Sequence, residues 1–316
     1  MLCSLLVLPA AASAAGAQGV PAWLAAHVGE ADGQISAVVL QRARALYREK
    51  VASGAVRNPC YFAMDATRPA DLGNNRIGRR FYIICEAQQS FRAVSAGHGS
   101  GRKLPGLADF SNGRQCVKNF GNASDSELTT GGDYVTAETR TSFKGYYRSA
   151  SGQTVPFLRS FVQFDGEGAT ANARARVIGG HPAEVLRAMC RIKAPGNAYA
   201  NGEGYVPFGK LVGYAAGRSN GCTSWSPADA QTILPIMQAA PTTLYIYPEA
   251  RDIAAVAHTA KGGVLPPGSG LYWNAQCLKA IGGAPKFWSA SVLEPLIARY
   301  KASLPKSTPR PLPICQ

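Results

Sequence analysis

The sequence predicts a mainly β fold, a sandwich or barrel-like core with α-helices flanking it at both ends. Three observations predict it. Short runs rich in aromatic and β-branched residues recur from about residue 57 onward. Clusters of Gly, Asn and Pro separate them, in a chain of 316 residues that holds 34 Gly and 21 Pro. No regular helical periodicity intervenes between these runs, which argues for a sandwich or barrel over alternating strand–helix units.

Each element can be read in chain order. Residues 1–17, MLCSLLVLPAAASAAGA, read as an export signal, with Ala15-Gly16-Ala17 offering a small-residue cleavage site before Gln18. Residues 18–56 form an N-terminal helical segment. Within it Ile35, Val38, Val39, Ala43 (or Arg42), Leu46 and Tyr47 fall at helical spacing over residues 34–50. Residues 57–250 form the main β-rich domain, with strands expected at Tyr61–Met64, Arg80–Cys85, Phe91–Ser95, Phe157–Phe164, Ala175–Ile178 and Thr242–Tyr247. Ser226-Pro227-Ala228-Asp229 supplies a cap, a first-turn proline and an acidic third position for a helix through Met237. Residues 251–316 form a C-terminal helical extension. There Ser291-Val292-Leu293-Glu294 reads as a second capping box, and the proline-rich tail KSTPRPLPICQ as extended chain pinned by Cys315.

Composition narrows the function classes. Hydrophobic residues at 46% and charged residues at 16% describe a globular chain, not a disordered one. After residue 17 no stretch is long and apolar enough to span a bilayer, so stable membrane insertion is not expected. The net charge of +14 attracts polyanions. No compact Lys/Arg run interleaved with aromatics points to nucleic acid, and the basic residues are scattered apart from Arg42, Arg44, Arg48 and Lys50 on the first helix. For an exported protein of the periplasm or cell envelope, the anionic envelope is the natural partner. Oligomeric state is not legible.

Eight cysteines agree with an oxidising destination: Cys3, Cys60, Cys85, Cys116, Cys190, Cys222, Cys277 and Cys315. Cys3 leaves with the signal. A free Cys222 leaves an even set able to form three disulfides, and spacing does not choose among the pairings. No C-x-x-C pair or Cys/His spacing of a zinc site occurs, so neither a metal nor another cofactor is expected.

The segment Gly217-Arg218-Ser219-Asn220-Gly221-Cys222 is the best candidate for chemistry. A cysteine after a glycine, on a tight loop just before a helix start, can present its sulfur as a nucleophile. Backbone N–H groups at Gly221 and Cys222 can face a developing oxyanion, while Arg218 and the helix N-terminus favour thiolate. The same cysteine can equally be half of a disulfide. A thiol needs a base, and His181, at the end of Arg176-Val177-Ile178-Gly179-Gly180, is placed to project into a cleft. His98 lies in the glycine-rich Ala96-Gly97-His98-Gly99-Ser100, as a cleft-lining group or an ordinary turn residue. His27 and His258 sit in helical texture with surface or packing roles. Trp225 reads as core.

Four stretches in order resemble the murein L,D-transpeptidase catalytic-domain family. They are Val94–Ser100 with its His-Gly-Ser, Phe110-Ser111-Asn112, the run from Gly166 with Asn172, Arg176 and His181, and Gly217–Cys222 as G-R-S-x-G-C. The resemblance covers about residues 57–250. It implies an L,D-transpeptidase-like core and a peptidoglycan L,D-transpeptidase or L,D-carboxypeptidase working through a cysteine thioester on stem peptides. Cys222 would be the nucleophile and His181 its base, with Gly221 in the oxyanion turn and the Pro182 carbonyl orienting the imidazole. Arg218, Ser219, Asn220 and His98 would contact substrate or shape the loop. The chain departs from the family in the long interval between His181 and Cys222 and in Thr-Ser-Trp after the cysteine. The interval, with Cys190 and Gly196-Asn197-Ala198, reads as an insertion flanking the cleft. The competing expectation is a non-catalytic, disulfide-stapled basic envelope protein that binds cell-wall polymer, with Cys222 bridged, for instance to Cys190.

Overall fold

A computed structural model describes residues 19–74, 76–214, 218–260, 271–305 and 310–316. The expected export signal at 1–17 lies outside them. The main strands are β1 (Tyr61–Asp65), β2 (Phe81–Cys85), β3 (Ser90–Val94), β4 (Gly132–Arg148), β5 (Thr154–Gly166), β6 (Gly179–Pro182), β7 (Glu184–Lys193), β8 (Tyr205–Gly213), β9 (Thr223–Trp225) and β10 (Thr243–Tyr247). The helices are α1 (Ala37–Ala52), α2 (Pro227–Ala239), α3 (Ala250–Thr259), α4 (Ala275–Ala280) and α5 (Ala290–Ser303), after a single turn at Ala22–Ala25.

The strands join one mixed ten-stranded sheet in the order β9-β6-β5-β4-β10-β1-β2-β3, with the β7–β8 hairpin attached to β4 through β8. The pairs β1–β10 and β6–β9 are parallel, while β4–β5, β1–β2 and β2–β3 are antiparallel. The sheet curls until its ends meet. Phe81 of β2 packs edge-on against Trp225 of β9 at 5.2 Å, and just past β3 the Gly97 N–H donates to the Ser224 carbonyl at 2.7 Å. The fold is mainly β, as the short runs predict.

Strand alternation explains the layers. Tyr61, Ala63, Tyr82, Ile84, Tyr245 and Tyr247 face the apolar stripe of α1 made by Val39, Leu40, Ala43 and Leu46. Their neighbours Phe62, Met64, Phe81, Ile83, Leu244 and Ile246 turn into a second cluster with Phe164, Trp225 and the Ala230, Ile233 and Met237 face of α2. With both faces covered, β1, β2 and β10 are buried throughout, so they read as continuous apolar runs. Three of the four basic residues named on α1 are tied down by carboxylates. Arg42 clasps Asp252 of α3 at 2.6 and 2.8 Å, Arg44 holds Glu86 at 2.8 and 3.0 Å, and Lys50 reaches Glu167 at 2.7 Å.

Two expectations are corrected. Residues 171–177 are turns, and the strand before the histidine is Gly179–Pro182, so the glycine pair is the strand itself and not a flexible end. α5 starts at Ala290 with Ser289 in the cap position, and Glu294 accepts from Ser124 N–H at 2.9 Å and closes no capping box. The cap of α2 is as read: Ser226 Oγ accepts from Asp229 N–H at 3.1 Å.

Three disulfides close the scaffold: Cys60–Cys85, Cys116–Cys277 and Cys190–Cys315. They fit an oxidising, exported setting. The last pins the tail along β7, where Arg191 N–H donates to Pro313 O at 2.8 Å and Cys315 N–H to Arg191 O at 3.1 Å. Among the described residues no helix is long and apolar enough to cross a membrane.

Candidate active site

Cys222 is the free cysteine among the described residues. The pairing with Cys190 on which the scaffold expectation drew is replaced by Cys190–Cys315. The thiol is half-buried on the turn leading into β9. Register places Gly180 beside Thr223 and His181 beside Ser224. Cys222 and His181 are each one residue from the Gly180–Thr223 pair, on the same side by strand alternation, and both line one cleft of about 920 Å³.

Glycine is required at two points here. A Cβ on Gly180 would lie 2.1 Å from the Trp225 ring, so this strand can approach β9 only without a side chain. Gly221 has φ +103° and a Cβ there would sit 3.0 Å from the Leu128 carbonyl, so the turn that exposes the sulfur is open to glycine alone. Next to it Val177 holds φ +55°, a sparsely populated conformation for a β-branched residue, and its carbonyl accepts from the Cys222 thiol at 3.6 Å. The N–H groups of Gly221 and Cys222 have no hydrogen-bond partner among the described residues, which leaves both available as donors.

The imidazole is fixed in one tautomer. His181 Nδ1 lies 2.9 Å from the Pro182 carbonyl, an acceptor only, so Nδ1 carries the proton and Nε2 presents its lone pair. Phe161 stacks beside the ring at 6.4 Å between centroids. Burial pushes the imidazole down to about 4, against the pull of the Pro182 carbonyl, and the Arg159 and Lys144 charges push the same way as burial. Burial also pushes the Cys222 thiol up, with the Gly179 N–H and the Arg159 and Arg176 charges opposing it. At neutral pH the resting pair is therefore thiol and neutral imidazole. That pair can pass a proton from Sγ to Nε2 as the sulfur attacks, and needs no preformed ion pair.

The other expected site residues fall into two groups. Asn220 and Ser219 line the cleft, and the Ser219 hydroxyl donates to the Cys222 carbonyl, bracing the turn from within. Arg218 pairs through its backbone with His98 in a short parallel ribbon, Arg218–Ser219 beside His98–Gly99. His98 itself is corrected: it is fully buried and does not line the cleft. Arg80 Nη2 donates to its Nδ1 at 2.5 Å, so its proton sits on Nε2 and goes to the Gly113 carbonyl at 3.1 Å. It is a packed core histidine. Trp225 is fully buried in the core, as read.

The other ordered stretches gather behind the same turn. Asn112 bridges the Gly99 and Asn119 carbonyls at 2.9 Å each, and Ser100 N–H donates to Ser219 O at 2.8 Å. Arg176 reaches Thr130 Oγ1 at 2.6 Å and Leu128 O at 2.8 Å, and Asn172 holds the Asn122 carbonyl at 2.6 Å.

Sequence reasoning missed the cleft's walls. Arg140, Ser142 and Lys144 come from β4, Arg159 and Phe161 from β5, and Val185 and Arg187 from β7. The only signal was the two-residue spacing of Arg140, Ser142 and Lys144 in a β-branched stretch. Among the described residues no cluster of three or more His, Cys, Asp and Glu is arranged to hold a metal ion. No family model matches the chain, and no curated protein and no solved structure matches it.

Proposed function

We propose that the protein is a cysteine acyltransferase acting on peptidoglycan stem peptides, an L,D-transpeptidase or L,D-carboxypeptidase. The observation that carries the reading is one unbridged thiol sharing a cleft with an imidazole whose tautomer leaves its basic nitrogen free. The motif resemblance narrows acyl transfer to the stem peptide, and its support is that four separated stretches surround a single turn.

In this reading Cys222 Sγ attacks the carbonyl carbon that follows the L-centre of diaminopimelate, and its proton passes to His181 Nε2. The carbonyl oxygen takes the negative charge and is met by the Gly221 and Cys222 N–H groups. The C–N bond then breaks, Nε2 returns its proton to the departing amine of D-alanine, and a thioester remains. An amine of a second stem, or water, attacks the thioester carbon while His181 takes its proton, the C–S bond breaks, and the proton passes from Nε2 to Sγ to regenerate the thiol.

Incubation with a carbapenem followed by intact-mass measurement tests the reading. One adduct on the wild type and none on Cys222→Ala is the expected result. An unmodified wild type whose Cys222 still reacts with small alkylating agents would overturn it.

A further inference from the structure

Among the described residues five cations and no carboxylate line the cleft that holds Cys222: Arg114, Arg140, Lys144, Arg159 and Arg187. Arg140, Lys144, Arg159 and Arg187 are gathered by the curl of β4 and β5 and the β7–β8 hairpin, and Arg114 joins them from the loop before Asn119–Gly121. Among the described residues Arg114, Lys144, Arg159 and Arg187 have no ion-pair partner, and Arg140 is shared with Glu138 of its own strand at 2.5 Å. One more carboxylate touches a cleft residue, Glu127, which accepts from Ser100 at 3.1 Å and is engaged by Arg102 at 2.8 Å. On other parts of the surface Arg42 is neutralised by Asp252, and Arg174 by Asp165 and Glu138.

Like charges converging without a counter-ion raise the energy of the empty cleft, and a bound anion relieves it. Burial and the Arg159 charge both push the Lys144 ammonium down. Phe161, Val177 and Val185 supply apolar lining to the same cleft, and a cleft lined by one sign of charge focuses its field on what enters it. A neutral ligand would leave these charges unmatched. A single carboxylate would answer one of them.

We propose that this cationic wall, chiefly Lys144, Arg159 and Arg187, makes the acyl donor of Cys222 a peptide carrying several free carboxylates, and that it selects against the same peptide with those carboxylates amidated. The proposal rests on the acyl-transfer reading above and adds the substrate's charge to it. Arg159 is central, since its charge is felt by both Cys222 and His181.

The test separates selectivity from turnover. Cys222 is alkylated with iodoacetate and, separately, with iodoacetamide, and the ratio of the two rates is read by intact mass. The ratio cancels any change in thiolate fraction. Neutralising Lys144→Gln, Arg159→Gln and Arg187→Gln together should lower it about tenfold, the lower end of what a focused charge cluster does to local anion concentration. Raising salt to about 1 M should shrink the wild-type ratio in the same direction, because screening then acts within roughly 3 Å. The salt series needs no variant, so it reads even if the triple substitution unfolds. A ratio that ignores salt overturns the proposal. A ratio that follows salt but is unchanged in a folded variant overturns the assignment to these three side chains. In the second arm, a stem tetrapeptide with free carboxylates should be processed faster than its amidated form by the wild type, and the gap should close in the variant. Loss of the carbapenem adduct with the alkylation ratio intact would fell the acyl-transfer reading alone. An adduct with no anion preference would fell this proposal alone.

Discussion

His181 is held neutral by its surroundings, and that has a consequence for stability as well as for chemistry. Its folded-state pKa is depressed to about 4 from an ordinary value of 6.5, chiefly by burial. Between those two values the unfolded chain binds more protons than the folded one, so stability falls as pH drops through that window. The contribution is full above about pH 6.5 and amounts to roughly 3 kcal/mol, lost on reaching pH 4. His181→Gln removes the titrating group, so urea denaturation at pH 7 and pH 4.5 should show a smaller drop in the variant than in the wild type. Equal drops would mean the imidazole is not buried as described. In the carbapenem reaction the same substitution should slow acylation by about a hundredfold or more, the ordinary worth of a general base. The acylation rate of the wild type should hold nearly level from pH 7 to pH 5 and fall near pH 4, where Nε2 gains its proton.

At the scale of elements, β6 is the least tolerant strand. It is short, and its neighbours press on it from both sides: a Cβ at Gly180 would meet the Trp225 ring at 2.1 Å and Phe164 at 2.9 Å. Trp225 is fully buried and packed against Phe81, so it has no room to retreat. Gly180→Ala should cost about 3 kcal/mol or more, the upper range for overpacking a tight core. Chemical denaturation reads the loss, and a cost under about 1 kcal/mol would show that β6 and β9 are not in contact as described. This strand is also where the sequence misled, because a glycine pair after Arg176-Val177-Ile178 reads as a strand's end. Glycine was there for close approach, which becomes visible only when Trp225 is seen opposite. β1, β2, β10, α1 and α2 were legible for the opposite reason: burial on both faces or a Ser-Pro start leaves a local trace. β4 and the β7–β8 hairpin were not, since bulges at Thr136/Thr139, Phe143/Gly145 and Arg187/Cys190 break the two-residue period, and much of their length is solvated on both faces. Cys222 and His181 could be named as candidates from their local sequence. The cationic wall could not: Arg140, Lys144 and Arg187 belong to those same illegible strands, and Arg159, on the strand read at Phe157–Phe164, meets them only through the fold.

Across the whole molecule, the C-terminal segment is part of the scaffold behind the site. Lys286–Trp288 pairs in parallel with Asn119–Gly121, Trp288 Nε1 donates to Asn119 Oδ1 at 2.9 Å, and Leu293 and Ile297 of α5 pack on Leu104, Phe110 and Leu128. Leu128 offers its carbonyl to Arg176 and approaches Gly221, so this packing reaches the Cys222 turn through two contacts. The Cys116–Cys277 bridge ties the two regions together across a separation of 161 residues, whereas Cys60–Cys85 spans 25 and joins strands already paired. Chain entropy makes the longer closure worth more, by roughly 1–2 kcal/mol on a logarithmic dependence on loop length. Cys116→Ala with Cys277→Ala should therefore lower Tm further than Cys60→Ala with Cys85→Ala, by several degrees at the ~2–4 °C per kcal/mol typical of larger domains. Calorimetry on both double variants checks the order. The longer-bridge variant should also alkylate Cys222 with a broader range of rates, since its turn loses a brace that the other variant keeps. If the two variants melt together and Cys222 reacts alike in both, the C-terminal segment is held by α5 packing alone and the bridge is redundant to the site.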